Sequence, residues 1–232
     1  MYEAGPARYA FLMSTYVVTG ANRGIGLEIV RQLTRRGDRV VACCRSASED
    51  LTATGARVVE DVDVADPASV DALASTLADE TIDVLVNNAG ILEADDLSEL
   101  DFDAVERQLR VNAVGPLRVT KALMSRFARP AKVAIVTSRM GSIADNDSGR
   151  MYGYRMSKAA VNAAGRSLAR DLRHCDVAVA LLHPGFVKTR MTDERGNVAP
   201  EDAAAGLIAR IDELSVENTG RFLHANGDEL PW

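Results

Sequence analysis

Long apolar runs are missing from this chain of 232 residues. No stretch approaches the roughly 20 apolar residues that a bilayer-crossing helix needs, so no membrane partner is expected. Met1 to Leu12 has neither a basic n-region nor an apolar h-region, and no secretory leader is expected. Basic runs are missing too: 27 Lys and Arg stand against 33 Asp and Glu, a formal charge of −6. A polyanion would be held against the overall field, so nucleic acid is not an expected partner. Cysteine is limited to Cys43, Cys44 and Cys175. The adjacent pair would point to opposite faces of a strand, and the odd total leaves no complete disulfide framework. Buried thiols in a reducing cytoplasm are the expectation. His174 and His183 lack partners at ligand spacing, so no metal site is expected.

What is present is the composition of one globular domain, 47% hydrophobic and 26% charged, long enough to bury a real core. No repeat or low-complexity linker divides it. Residues 1–12 read as an untethered, disordered extension with Met13 as a candidate start, and residues 13–232 as a single domain.

Ser14 to Thr19 is a β-prone run that ends in a glycine-rich turn, and Leu27 to Arg36 follows with helical spacing. Arg39 to Cys44 is apolar without alternation, as a strand covered on both faces would be, and Arg57 to Glu60 is a weaker third run. Asp66 and Pro67 open a helix as N-cap and first residue. The alternation then repeats: strand at 83–86, helix from Phe102 to about Phe127, strand at 132–137, helix at 154–173 and strand at 177–182. A last helix runs from Pro200 to about Leu214, and 220–224 completes the pattern as a final strand. Six or seven strands separated by helices predict an α/β fold. It is a doubly wound, Rossmann-type parallel sheet with helices on both faces, which binds ligands beyond the carboxyl ends of its strands.

Thr19-Gly20-Ala21-Asn22-Arg23-Gly24-Ile25-Gly26 stands where the first strand hands over to the first helix. Glycines there let the backbone approach a pyrophosphate, whose charge then faces unpaired N–H groups at the helix N-terminus. This TGxxxGxG pattern resembles the cofactor motif of the short-chain dehydrogenase/reductase superfamily. Asn87-Asn88-Ala89-Gly90, Ser138, Tyr154-Arg155-Met156-Ser157-Lys158 and Pro184-Gly185-Phe186-Val187-Lys188-Thr189 follow in that family's order. The segments SRMGSI and YGYRMSKAA and the ending GDELPW resemble the C-factor-like branch, which includes carbonyl reductases of the sniffer type.

Reducing a carbonyl builds negative charge on its oxygen, so a site for that reaction needs a proton donor and hydrogen-bond donors there. Tyr154 is the candidate acid. Lys158, four residues on along the same helix face, has a positive charge that favours the phenolate and is expected to lower the phenol's pKa. The resemblance implies that Ser138 binds the substrate oxygen, that Lys158 also holds the nicotinamide ribose, and that Asn112 positions a water in the proton relay. Asn112 also reads as a polar residue bonded to nearby backbone. Ser142 competes with Ser138, which is preferred because it directly follows a strand.

For the cofactor, the resemblance places Cys44 where NAD-preferring members carry an acid, followed by Arg45. With Arg23 in the glycine turn, these residues favour a 2′-phosphate, hence NADP(H). Asp63 and Val64 resemble the pair that touches adenine, although Asp61 and Asp66 leave a solvated acidic loop as an alternative. Asn88, Ala89 and Gly90 are expected where the adenosine half of the cofactor would pass. The resemblance implies that Pro184, Gly185, Val187 and Thr189 close over the nicotinamide, with backbone groups and the Thr189 hydroxyl holding its carboxamide. Only about ten residues follow before Pro200, so the substrate flap is expected to be short and the pocket open. Arg139, Met140, Met151, Tyr152, Phe186, Arg190 and Met191 are expected around a small carbonyl or alcohol substrate. Ala159, Ala160, Ala163, Ala164 and Ser167 suit close packing, either against a second copy in a homodimer or homotetramer or against a neighbouring helix.

Overall fold

The computed structural model describes residues 13–232, so the expected extension at 1–12 lies outside the described residues. The apolar runs pair into one sheet of seven strands. These are β1 (Thr15–Thr19), β2 (Arg39–Cys43), β3 (Arg57–Val59), β4 (Ile82–Asn87), β5 (Phe127–Val136), β6 (Val177–His183) and β7 (Phe222–His224). All are parallel, in the order β3-β2-β1-β4-β5-β6-β7. The order reverses between β1 and β4, which opens a crevice beyond their carboxyl ends. The expected single-domain Rossmann-type sheet is therefore the observed one.

Alternate residues of each strand feed two cores. Tyr16 and Val18 pack with Ile29 and Leu33 of α1 (Gly24–Arg36) and Leu207 and Ile211 of α7 (Pro200–Asp212). Val17 and Val133 pack with Leu73 of α3 (Pro67–Thr76), Val119 and Leu123 of α5 (Gly115–Leu123) and Val161 of α6 (Tyr152–Asp171). Asp66 caps α3 by accepting from the Ala68 N–H at 3.0 Å, with Pro67 at the first position, as the sequence predicts.

The predicted helix over 102–127 is the main departure. It divides into α4 (Phe102–Leu109), a π-turn over Arg110–Val114, α5, and a 3-10 turn over Met124–Arg126. Pro116 has no N–H, so it cannot donate to the Asn112 carbonyl four residues earlier, and the ladder widens there. Phe127 belongs to β5 rather than to a helix: it pairs with Ile82, and the register then shifts before Val84 meets Lys132. Exposed Arg129 and Pro130 interrupt the apolar pattern in that stretch and hide its extended conformation from a periodicity argument. A short α2 (Glu49–Thr52), capped by Ser48, was also not foreseen. Cys43 and Cys44 are buried as expected, whereas Cys175 is only half-buried because it lies in the turn after α6.

Candidate active site

The glycine turn is built by close approach. Gly20 has φ +65°, and a Cβ on it would fall 2.8 Å from Ala89 Cα. A Cβ on Gly26 would fall 2.3 Å from the Gly20 carbonyl oxygen and 2.5 Å from Asn88 Nδ2. Asn88 and Thr19 bolt this turn to the end of β4. Thr19 Oγ1 accepts from the N–H groups of Asn88 (3.0 Å) and Ala89 (3.1 Å), and Asn88 Nδ2 donates to the Thr19 (2.9 Å) and Gly20 (3.1 Å) carbonyls. The Asn88 amide is thus spent on shaping the turn. Helix α1 begins at Gly24 with no side-chain cap and no acid in its first turn, so its leading N–H groups face the crevice as an anion site. A narrow glycine cradle with an uncapped helix end fits a pyrophosphate.

Beside the turn, Asn22 Nδ2 donates to the Ser46 carbonyl (3.1 Å) and Ser48 Oγ donates to the Asn22 carbonyl (2.8 Å), tying it to the loop after β2. Arg23 and Arg45 flank this tie. Both are exposed, and neither forms a side-chain hydrogen bond or ion pair among the described residues. Opposite them, Glu60 Oε1 accepts from the Ala47 N–H at 2.6 Å. Asp63 is half-buried and accepts from the Ala65 N–H at 2.8 Å, and Val64 is buried against Gly115.

Tyr154, Lys158 and Ser138 are all buried, at 8%, 5% and 7% exposure, where α6 passes the end of β5. Burial pushes the Tyr154 phenol up to about 12, and the Ser138 hydroxyl is the neighbour that pulls it back. The expected lowering by Lys158 is not what the structure shows. Burial disfavours the lysine's own charge, bringing it down to about 8, and its Nζ donates to the Val136 carbonyl at 3.0 Å. Lys158 still points into the crevice, since a Cβ on Gly90 would lie 3.8 Å from its Nζ. Asn112 lies in the π-turn with its amide fully used: Oδ1 accepts from Ile91 N–H (2.8 Å), and Nδ2 donates to the Ile91 carbonyl (2.8 Å) and Ser157 Oγ (3.0 Å). Its side chain is therefore fully engaged by the Ile91 backbone and the Ser157 hydroxyl.

Ser138 caps a 3-10 turn over Arg139–Gly141 by accepting from the Met140 N–H at 3.1 Å. Ser142, its competitor, is engaged elsewhere: it donates to the Trp232 carbonyl and accepts from the Asp145 N–H, both at 3.1 Å. Arg139 pairs with Asp145. Pro184 and Val187 are buried, and a Cβ on Gly24 would lie 3.4 Å from Thr189 Cγ2, so this loop faces the glycine turn. Thr192 Oγ1 accepts from the Thr189 N–H (3.2 Å) and donates to the Val187 carbonyl (2.7 Å), removing those two backbone groups from the expected carboxamide contacts. The flap is a short excursion: a 3-10 turn over Arg190–Thr192 returns to a bridge between Val187 and Val198.

His183 lies ring to ring with His224 at 5.1 Å, and among the described residues no group of three or more His, Cys, Asp or Glu is arranged to hold a metal. Among those residues no helix is long and apolar enough to cross a membrane. Sequence reasoning missed Glu60 and two residues near the start of α6: Asp95, which accepts from the Gly153 N–H at 3.0 Å, and Gln108, which accepts from the Glu93 N–H at 3.1 Å. Only Gln108 carried a signal, its four-residue spacing from Asn112 on a helix face.

The pattern of the short chain dehydrogenase family matches residues 14–199. The 1-hydroxy-2-glutathionyl-2-methyl-3-butene dehydrogenase of Rhodococcus sp. (strain AD45) is 45% identical over 95% of this chain and 100% of its own. The C-signal protein of Myxococcus xanthus is 43% identical over 69% of this chain and 99% of its own. An NADPH-bound carbonyl reductase from chicken fatty liver superposes with a TM-score of 0.87 at 28% identity, covering 95% of this chain and 99% of that one. With the glycine turn, the Ser138, Tyr154 and Lys158 cluster and the seven-stranded sheet in place, this chain belongs to the short-chain dehydrogenase/reductase family.

Proposed function

We propose that this oxidoreductase interconverts a carbonyl and an alcohol on a small organic substrate, in the class acting on CH–OH groups with a nicotinamide acceptor. Its cofactor is NADP(H), the dinucleotide held by solved carbonyl reductases and a dehydrogenase of the same fold. The glycine cradle, the uncapped end of α1, and Arg23 and Arg45 are the residues that would hold it. The observation that carries the reading is the burial of Tyr154, Ser138 and Lys158 together at the crevice where β4 and β5 end.

When bound, the nicotinamide supplies or takes the hydride at the substrate carbon. Tyr154 gives the proton to the substrate oxygen in reduction and takes it back in oxidation. Ser138 Oγ hydrogen-bonds the same oxygen and stabilises the charge that develops on it. The Lys158 cation favours the phenolate left behind and would hold the ribose hydroxyls, and Asn112 would position a water that returns a proton through Lys158. Around the substrate, Arg139, Met140, Met151, Tyr152, Phe186, Arg190 and Met191 mix apolar and cationic groups. A substrate with an acidic tail, such as a glutathionyl alcohol, belongs in the panel beside simple ketones and aldehydes. The enzyme works in the cytoplasm as a homodimer or homotetramer. Exposed Ala163 and Ser167 on α6 support that assembly, with Leu117, Met124 and Met156 exposed nearby.

A second reading, a dinucleotide-sensing or signalling protein, draws support from the similarity to C-signal. A pure sensor has no need of an acid beside the nicotinamide. Tyr154→Phe separates the two: an enzyme loses NADPH-dependent turnover across a carbonyl panel while still binding NADPH, whereas undiminished biological output without turnover favours the sensor.

A further inference from the structure

The segment after β4 is held at alternate residues. Asn112 pairs with both backbone groups of Ile91, and Gln108, fully buried one turn earlier, does the same for Glu93: Nε2 donates to its carbonyl (3.2 Å) and Oε1 accepts from its N–H (3.1 Å). Four helical residues rise about 6 Å, and two extended residues about 6.6 Å. The two side-chain amides therefore act as a short ladder edge for an extended chain. Two residues further on, Asp95 reaches the start of the catalytic helix. Its carboxylate accepts from the N–H groups of Tyr152 (2.5 Å) and Gly153 (3.0 Å), and its carbonyl accepts from Met151 N–H (3.0 Å).

Helix α6 needs this help. Its N-cap is Met151, whose side chain makes no capping bond, and both Arg150 (φ +56°) and Met151 (φ +57°) are held in the left-handed region that L side chains disfavour. Gly153 lets the bracket close, because a Cβ there would lie 2.5 Å from Gln108 Nε2 and 3.3 Å from Asp95 Oδ2. Tyr154 is the next residue.

We infer that Asp95 is a positioning residue: it is the N-terminal cap of α6 supplied from a distant segment, and with Gln108 behind it, it sets the height of Tyr154 against Ser138. The same stretch, Gly90 to Asp95, begins beside Lys158, so the cofactor side of the crevice and the catalytic helix share one brace. This inference rests on the catalytic reading of Tyr154.

The test compares Asp95→Ala, Asp95→Asn and Gln108→Leu, at a temperature where each is folded by circular dichroism, with Tyr154→Phe alongside. A tyrosine displaced by a fraction of an ångström costs roughly tenfold to a hundredfold in kcat. Asp95→Ala should show that loss with KM for NADPH and NADPH affinity by fluorescence titration unchanged. Asp95→Asn keeps one acceptor and should recover part of it. Gln108→Leu, acting through the same segment, should lose kcat less than additively when combined with Asp95→Ala. Wild-type kcat in folded Asp95→Ala and Gln108→Leu, or a loss seated in NADPH affinity, overturns the inference. If Asp95→Ala does not fold, Gln108→Leu alone decides it by the same split. Full turnover in Tyr154→Phe instead overturns the catalytic reading itself.

Discussion

The Lys158 ammonium stands 5.7 Å from the centre of the Tyr154 ring, on the next turn of the same helix, yet its hydrogen bond goes to the Val136 carbonyl. Burial drives the two groups in opposite directions, the phenol up to about 12 and the lysine down to about 8. Tyr154 therefore stays protonated through neutrality, as the proposed acid must, beside a lysine whose charge fades above pH 8. The charge matters at the moment the phenol becomes a phenolate.

Carbonyl reduction should follow that lysine. The pH profile of kcat/KM reports the free enzyme, so it should be level up to about pH 8 and fall above it. Lys158→Met should remove the break along with most of the rate. A wild-type profile that stays flat to about pH 10, near the usual lysine range, would contradict this account.

Stability should move the other way in that variant. Lys158 titrates at 10.5 when exposed and at about 8 when folded, so between those values the unfolded chain binds more protons and stability rises with pH. Below pH 8 the folded protein carries the whole cost of a buried ammonium; above 10.5 it carries none. Lys158→Met removes that cost but leaves the Val136 carbonyl without its donor. The net gain is about 2 kcal/mol at neutral pH; it should vanish at about pH 9.5 and become a loss of about 1 kcal/mol by pH 10.5, where only the unpaired carbonyl is left. Thermal melts at both pH values measure this, and a variant less stable than wild type at pH 7 would refute it.

Much of this site was legible because its signals are local. The glycine turn lies between a strand and a helix, and Tyr154 and Lys158 share a helix face by spacing alone. The electrostatics were not legible, because burial depends on how α6 packs against β5. The π-turn was hidden for a similar reason: Pro116 announces a break, but the widening at Arg110–Val114 is stabilised by Asn112 reaching Ile91, a contact between segments far apart in sequence. Asp95 capping α6 spans more than fifty residues, and no pattern within either segment points to the other.

If the two arginines beside the glycine turn read a 2′-phosphate, as proposed, the cofactor preference should depend on them. A charge-assisted bond to a phosphate is worth about 1.5–3 kcal/mol, so Arg45→Ala should weaken NADPH binding roughly tenfold to a hundredfold and leave NADH binding within a factor of about two. Glu60, just after β3, sets its carboxylate on the Ala47 N–H of the loop that carries Arg45 and should work against them. Glu60→Gln should tighten 2′,5′-ADP a few-fold and leave 5′-AMP unchanged. Calorimetric titration of both nucleotides checks each variant, and equal losses for both nucleotides in Arg45→Ala would show that the arginine does not read the 2′-phosphate.

The choice between Ser138 and Ser142 can be decided by how each hydroxyl is engaged. Ser138 Oγ accepts one backbone N–H and turns its own proton toward the buried Tyr154 phenol, where a substrate oxygen would enter in the proposed reaction. Ser142 Oγ has both of its functions filled, donating to Trp232 and accepting from Asp145, so it fastens the loop to the segment carrying Trp232. Ser138→Ala should lower kcat roughly 10²- to 10³-fold, as loss of an oxyanion donor does, with NADPH affinity intact. Ser142→Ala should keep kcat within a few-fold and lose about 1–2 kcal/mol of stability, the cost of freeing partly buried polar partners. Steady-state kinetics and thermal melts on both variants distinguish the roles, and a Ser142→Ala enzyme that is stable but inactive would reverse the assignment.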